Sequence, residues 1–370
     1  MAQGPRLVDL VQHRIDEFLA TRREQLRRIS PDLAPLLTHA ERFLRGGKRF
    51  RALFCYHGWE AVRTSTPELL PDASTPHLLP LISAAASLEV FHAAALVHDD
   101  IIDNSDTRRG GLSTHRVFAQ QHTEASWMGE SAEFGQSTAI LLGDLLLGWS
   151  DELLDEGLDT LSDRVAGRAV RAEFVRMRTE VTAGQMLDVL EEQAWHTANE
   201  SEQRLRAERV IIYKSAKYSV QSPLLVGAAL GGATREQRSA LEAFGLPLGI
   251  AFQLRDDLLG VFGDPAVTGK PSGDDLREGK RTMLIAITRE KLGTGPRRLL
   301  DELLGDPALT PLQVDTLQRT IIDCGAVQEV EALIATNVRK AKSALTLAPL
   351  GAASVAELRA LADTVTRRVR

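Results

Sequence analysis

Residues 99–103 read Asp-Asp-Ile-Ile-Asp and close the most apolar stretch of the chain. On a helix, Asp99 and Asp103 stack on one face, about 6 Å apart in rise. Carboxylates so placed repel unless a cation sits between them. Oxygen-only ligands on an open helix face suit Mg²⁺, which keeps its waters and shares itself with substrate phosphates. A helix end with solvated acids has the same local pattern, so the motif alone leaves both readings open. A second pair, Asp256-Asp257, closes another apolar helix in FQLRDDLLG at 252–260. Acids sit badly at the negative end of a helix dipole, so a second uncompensated acidic end argues for a cation. If the two ends faced each other across a cavity, they would hold a cluster of Mg²⁺ around one diphosphate and neutralise it as a leaving group.

Basic residues cluster where anions need cradling. In GGKRFR at 46–51, two glycines precede Lys48 and Arg51, three apart at a helix start where backbone N–H groups also favour phosphate. Arg108-Arg109-Gly110 follows the first acidic motif closely, and Lys214, Lys270 and Lys280 are further candidates. Each lysine taken singly reads as a solvated surface residue. Only the arrangement points to diphosphate.

The elements that must position these residues are helical. Apolar residues recur at three and four positions, and alternating strand-like runs are almost absent, so the fold is expected to be all-α. Helices are expected over 6–29, 31–45, 48–63, 78–103, 112–120, 136–155, 163–194, 203–220, 222–230, 235–260 and 281–292, with several more in the last 75 residues. Three prolines among polar residues mark 64–77 as a surface loop, and 122–135, polar and without period, reads as another. Four glycines and two prolines over 263–279 suggest a mobile flap beside the second acidic motif. No repeat or low-complexity tract divides the 370 residues, so one domain over 1–370 is expected.

Composition narrows the function classes. The formal charge is −6, from 44 Lys and Arg against 50 Asp and Glu, which disfavours nucleic acid as a partner. Cys55 and Cys324 are the only cysteines, too few for a disulfide scaffold or a four-cysteine metal site, and they suit a reducing compartment. Charges at Asp9, Arg14, Asp16 and Glu17 interrupt the core a signal peptide needs. The apolar stretch 78–97 contains Ser83, Ser87, Glu89 and His92 and falls short of a membrane span. A soluble cytoplasmic protein is expected.

GGKRFR at 46–51, HAAALVHDDIIDNSDTRRG at 92–110, GQMLD at 184–188, KSAKYS at 214–219, FQLRDD at 252–257 and GKPSGDDLREGK at 269–280 stand in this order along the chain. Together they resemble the trans-type isoprenyl diphosphate synthases, the polyprenyl synthetases, over most of the chain. The wording around the first acidic motif looks most like actinobacterial short-chain members, geranylgeranyl diphosphate synthases among them. The resemblance implies a large helical bundle with a central cavity. It implies Mg²⁺-dependent condensation of isopentenyl diphosphate with an allylic diphosphate, head to tail, to an all-trans prenyl diphosphate. It further implies that Asp99, Asp103 and Asp256 ligate about three Mg²⁺ ions on the allylic diphosphate, supported by Asp100 and Asp257. Arg108, Lys214, Lys270 and Lys280 would bind that diphosphate's oxygens. Lys48, Arg51, His92 and Arg109 would hold isopentenyl diphosphate in a separate metal-free pocket. Gln253 and Ser215 would line the reacting centre, with Gln185 and Asp188 as supporting positions or an ordinary helix-surface pair. Members are commonly homodimers, so a homodimer is expected.

Two departures stand out. Gly260 occupies the place of a third Asp in the common form of the second motif, so that residue's water contacts are expected to be missing. The segment 121–135 is longer than in typical members, with no functional account. For product length, the growing tail is expected to run back along the helix before Asp99, at about 5.4 Å per turn. Ala94 and Ala95 at the first turn lack the bulky aromatic of many farnesyl-stopping members, and the motif lacks their two-residue insertion. Phe91 two turns deep, with Leu88 below it, would form the floor. That depth suits geranylgeranyl diphosphate, with farnesyl and longer products open. A class I terpene cyclase would share fold and metals but has no use for GGKRFR with His92 and Arg109. A non-catalytic partner subunit would be expected to lack metal ligands, and Asp99, Asp103 and Asp256 are all present.

Overall fold

A computed structural model describes residues 4–63, 78–264 and 272–366. The fold is all-α, as expected, and its contacts divide it into two compact units. One holds Met1–Val170 with Val226–Ala233, the other Arg171–Leu225 with Thr234–Arg370.

The first unit contains α1 (Gly4–Ile29), α2 (Ala34–Phe43), α3 (Phe50–Val62), α4 (Leu79–Ile102), α5 (Thr114–Glu124) and α6 (Ser131–Asp159). Helix α4 is its centre. Apolar residues lie all round α4, as in a helix meant for full burial, and Leu81, Ala84, Leu88, Ala94 and Val97 are at most 2% exposed. By length and composition α4 would pass for a membrane span, contrary to the reading from its polar residues, yet 83% of its most apolar window is buried within the protein. Helix α6 lies close against α4 because two glycines leave room. A Cβ at Gly157 would stand 2.5 Å from that of Ser83, and one at Gly143 would overlap the His98 ring.

The second unit holds most of α7 (Arg164–Ala194), then α8 (Gln203–Val210) and α10 (Arg235–Phe262), with shorter helices to Thr366; α9 (Ser222–Leu230) is shared between the units. Helix α10 begins with a capping box: Thr234 Oγ1 accepts from Gln237 N–H at 3.2 Å, and Gln237 Oε1 accepts from Thr234 N–H at 2.9 Å. Its far end presents Leu254, Leu258 and Val261 to a core that includes Leu284, Ile287 and Ile321.

The structure corrects four local expectations. The helix expected over 203–220 stops at Val210, and Ile211–Gln221 is a π-helix. The segment 122–135 is mostly helical, with only a short turn between α5 and α6. Trp127 sets that turn by packing edge-on against Phe134, centroids 5.2 Å apart, and against His122 at 6.0 Å. Aromatic stapling of this kind has no periodic signature. Thr107–Arg108 and Gly111–Leu112 pair as a small antiparallel hairpin, also unexpected. Of the flap, Asp274–Glu278 is a short helix, whereas 265–271, like the loop 64–77, lie outside the described residues.

Candidate active site

In the first unit a run of left-handed residues shapes the loop ahead of α3. Gly46 and Gly47 have φ of 76° and 84°, a region where a side chain is strained, and Arg49 follows at 49°. Arg49, unassigned from sequence, is buried. It donates from Nη2 to Gln12 Oε1 at 2.6 Å and to the Leu44 carbonyl, and pairs with buried Glu89 at 3.4 Å. Glu89 also accepts from the Ala52 N–H at 3.1 Å, so this pair fastens the loop and the start of α3 to α4. Removing one partner would leave a buried charge uncompensated, at a cost of about 3–5 kcal/mol.

Lys48 is exposed on this loop. Arg109 reaches back to it, donating to the Phe43 carbonyl at 3.2 Å and lying 3.7 Å from where a Gly47 Cβ would stand. His92 lies among these cations. Burial, then Arg51, Arg109, Arg108 and Arg49 in turn, hold its pKa well below the ordinary value of 6.5. His92 is therefore neutral at physiological pH and offers an N–H without adding charge. Cations gathered on a half-buried surface suit an anion with several oxygens. Arg51, His92 and Arg109, expected around one diphosphate, lie close together, and Arg108, expected at the other diphosphate, lies among them.

Asp99 and Asp103 remain one turn apart, with Asp103 N–H bonded to the Asp99 carbonyl at 2.8 Å at the end of α4. Arg108 donates from Nε to Asp100 Oδ1 at 2.8 Å, also from Nη2, and that Nη2 lies 3.7 Å from Asp99 Oδ2. Asp100 is fully buried. Its visible work is to aim Arg108 beside Asp99, while the Ser105 N–H on its carbonyl (2.9 Å) starts the turn into the hairpin. Along α4, Ala94, Phe91 and Leu88 form one buried row and Ala95 is half-buried.

In the second unit the π-helix carries Lys214 and Ser215. Glycines let its neighbours touch its backbone: a Cβ at Gly184 of α7 would lie 2.5 Å from the Tyr213 carbonyl carbon, and one at Gly249 of α10 2.6 Å from the Ala216 Cα. Such widened turns recur at functional sites. Lys214 donates to Asp188 Oδ2 at 2.5 Å, and Lys280 reaches the same oxygen at 3.3 Å and Glu192 Oε1 at 2.7 Å. Asp188 thus holds two of the expected diphosphate ligands. Gln185, one turn before it on α7, has a buried side-chain nitrogen with no hydrogen-bond partner among the described residues. Ser215 is half-buried, and Lys270 lies outside the described residues.

On α10, Gln253 donates to Asp257 Oδ1 at 2.7 Å. Burial pushes the Asp257 carboxyl well above the usual range, Gln253 opposes this, and Asp275, Asp256 and Asp188 add to it. Among the described residues, Asp257 Oδ2 is buried without a hydrogen-bond partner. A buried, like-charged carboxylate with an orphaned oxygen fits a divalent cation close by. Among the described residues no three His, Cys, Asp or Glu side chains form a ready-made metal cage. Mg²⁺ takes one or two carboxylates and completes its shell with water and substrate phosphate.

A sequence model of the polyprenyl synthetase family matches residues 34–320. Geranylfarnesyl diphosphate synthase of Aeropyrum pernix is 32% identical over 291 residues, 77% of this chain and 82% of that protein. (2E,6E)-farnesyl diphosphate synthase of Mycobacterium tuberculosis is 33% identical over 270 residues, 72% of this chain and 67% of that one. Geranylgeranyl pyrophosphate synthase of Corynebacterium glutamicum, solved with isoprenyl diphosphate and magnesium, superposes with a TM-score of 0.90 at 36% identity, covering 99% of both chains.

Proposed function

Because the chain belongs to the polyprenyl synthetase family, we propose that it builds geranylgeranyl diphosphate, the twenty-carbon product. The broader activity is the family's: the chain is a prenyltransferase, a trans-prenyl diphosphate synthase acting on isoprenyl diphosphates with Mg²⁺. When bound, Mg²⁺ neutralises charge collecting on a departing diphosphate. Asp99, Asp103 and Asp256 are its proposed ligands, with Asp100 and Asp257 in support and about three ions in the working site. Arg108, aimed by Asp100, and Lys214 and Lys280, held by Asp188, bind the allylic diphosphate oxygens as the carbon–oxygen bond breaks. Lys48, Arg51, His92 and Arg109 hold the diphosphate of isopentenyl diphosphate. Its double bond attacks the allylic carbon, and the proton lost in completing the new double bond passes to the departing diphosphate. Gln253 and Ser215 line the reacting centre, and Lys270 joins the diphosphate ligands on resemblance alone.

The observation behind the product length is the row Ala94, Phe91, Leu88, which is small at the first turn before Asp99 and bulky below it. Farnesyl and geranylfarnesyl diphosphate, made by the relatives, are the neighbouring lengths. Incubation with Mg²⁺, labelled isopentenyl diphosphate and each allylic primer, resolved by carbon number, tests the proposal. A product stopping at twenty carbons supports it, and any other terminal length overturns it.

One catalytic domain over 1–370 is the reading that accords with a family match running through both units. A cytoplasmic homodimer completes it. Ile140 and Leu141 on α6 are 45% and 62% exposed, apolar surface of the kind a second copy covers. Light scattering at monomer mass would remove the dimer.

A further inference from the structure

Gly260 lies one turn beyond Asp256 on α10, and its missing side chain is not empty space. A Cβ built there would overlap the carboxylate of Asp275, standing 2.6 Å from Oδ1 and closer still to the other two atoms of the group. The Asp275 carboxylate therefore sits against the α10 backbone where a side chain at position 260 would begin. Residues 256 and 260 share a helix face, so this borrowed carboxylate joins the row of Asp256.

The placement is built rather than incidental. Gly273 and Gly279, both left-handed at φ of 74° and 78°, bracket the short helix Asp274–Glu278. Leu276 is fully buried, its carbonyl accepts from Gly305 N–H at 2.8 Å, and the Asp275 carbonyl accepts from Lys280 N–H at 3.0 Å. The segment that brings Asp275 to α10 thus also sends Lys280 to Asp188. Asp257, 4% exposed and with no hydrogen-bond partner for Oδ2 among the described residues, marks the same turn of α10 as a place that wants a cation.

We propose that Asp275 acts as the third acid of the second motif, reaching across from its own helix to hold the water shell of a divalent cation bound with diphosphate at Asp256. Gly260 is the vacancy that admits it, so the water contacts expected to be missing are supplied from another element. The inference rests on Asp256 being a cation ligand. Asp275 positions water and is not itself a catalytic residue.

The test is calorimetric titration of the full-length protein with inorganic pyrophosphate at increasing Mg²⁺. Asp275→Asn is expected to raise the Mg²⁺ concentration for half-maximal pyrophosphate binding by about 10-fold. Asp256→Asn is expected to abolish the Mg²⁺-dependent binding. If Asp256→Asn binds like wild type, the underlying reading fails. If Asp256→Asn loses binding while Asp275→Asn stays within about twofold of wild type, only the Asp275 proposal is overturned. Should Asp275→Asn misfold by circular dichroism, the exchange Gly260→Asp/Asp275→Ala decides: a wild-type Mg²⁺ midpoint supports the proposal, and a shifted midpoint or a second misfolded protein overturns it.

Discussion

Lys214 and Lys280, 66 residues apart in sequence, share one oxygen: both ammonium groups point at Asp188 Oδ2, at 2.5 and 3.3 Å. One carboxylate thus keeps two like charges close together. Asp188→Asn should leave the lysines repelling each other and raise KM for the allylic diphosphate about 10-fold, with KM for isopentenyl diphosphate unchanged. Steady-state kinetics with each substrate varied separates the two. Equal changes in both constants would point to a general structural defect instead.

Asp99→Ala should lower turnover on the order of 100-fold or more while the protein stays folded, because metal stabilisation of a leaving group is worth several kcal/mol. Unchanged turnover would sink the metal assignment. Circular dichroism confirms the fold.

Phe91 is 3% exposed and contributes about 2–3 kcal/mol by its burial. Phe91→Leu, which keeps most of that volume, should shift the product distribution toward longer chains with only a modest loss of Tm. A product set identical to wild type would mean that Phe91 is packing and not a floor.

Gly184→Ala should destabilise the protein by about 1–3 kcal/mol, since its Cβ would press on the π-helix backbone 2.5 Å from the Tyr213 carbonyl carbon. Displacement of Lys214 should follow, weakening pyrophosphate binding. A thermal melt superimposable on wild type would show that α7 and the π-helix are free to separate.

Acid should destabilise the fold through His39. It bonds Thr114 Oγ1 at 3.0 Å and packs on Phe43 and Phe118; burial, with Arg42 adding to it, lowers its pKa from 6.5 to about 4. The depressed folded pKa means that the unfolded chain takes up the proton more readily. Its stabilising contribution is therefore full above pH 6.5 and is lost as pH falls toward 4, by up to about 3 kcal/mol. Urea denaturation between pH 7 and 4 should show a shallower decline for His39→Gln than for wild type. His92, shifted in the same direction, keeps the decline from vanishing.

Local features were legible without coordinates. Asp99 and Asp103 share a helix face because 3.6 residues per turn brings i and i+4 together, whatever surrounds them. The apolar run of α4, the glycines before Lys48 and the order of six motifs are likewise properties of the chain read along its length, and they were enough to indicate the fold class and the enzyme family. Where local propensity competes with packing, sequence period alone misleads. The period over 203–220 suits an α-helix, but contacts at Gly184 and Gly249 accompany a π-helix there.

Contacts made by the returning chain belonged to the tertiary structure alone. Arg49 and Glu89 are 40 residues apart, Asp188 and Lys280 are 92 apart, and Gly260 meets Asp275 only because the chain doubles back through a short helix between two left-handed glycines. No periodicity encodes such pairs, since each depends on where separate elements dock and on which side chain is absent at the point of contact. Residue types and the helix period set which charges this protein carries and on which helix faces they stand. The tertiary structure decided which of those charges meet, because burial makes an unpaired charge costly and so selects its partner in space.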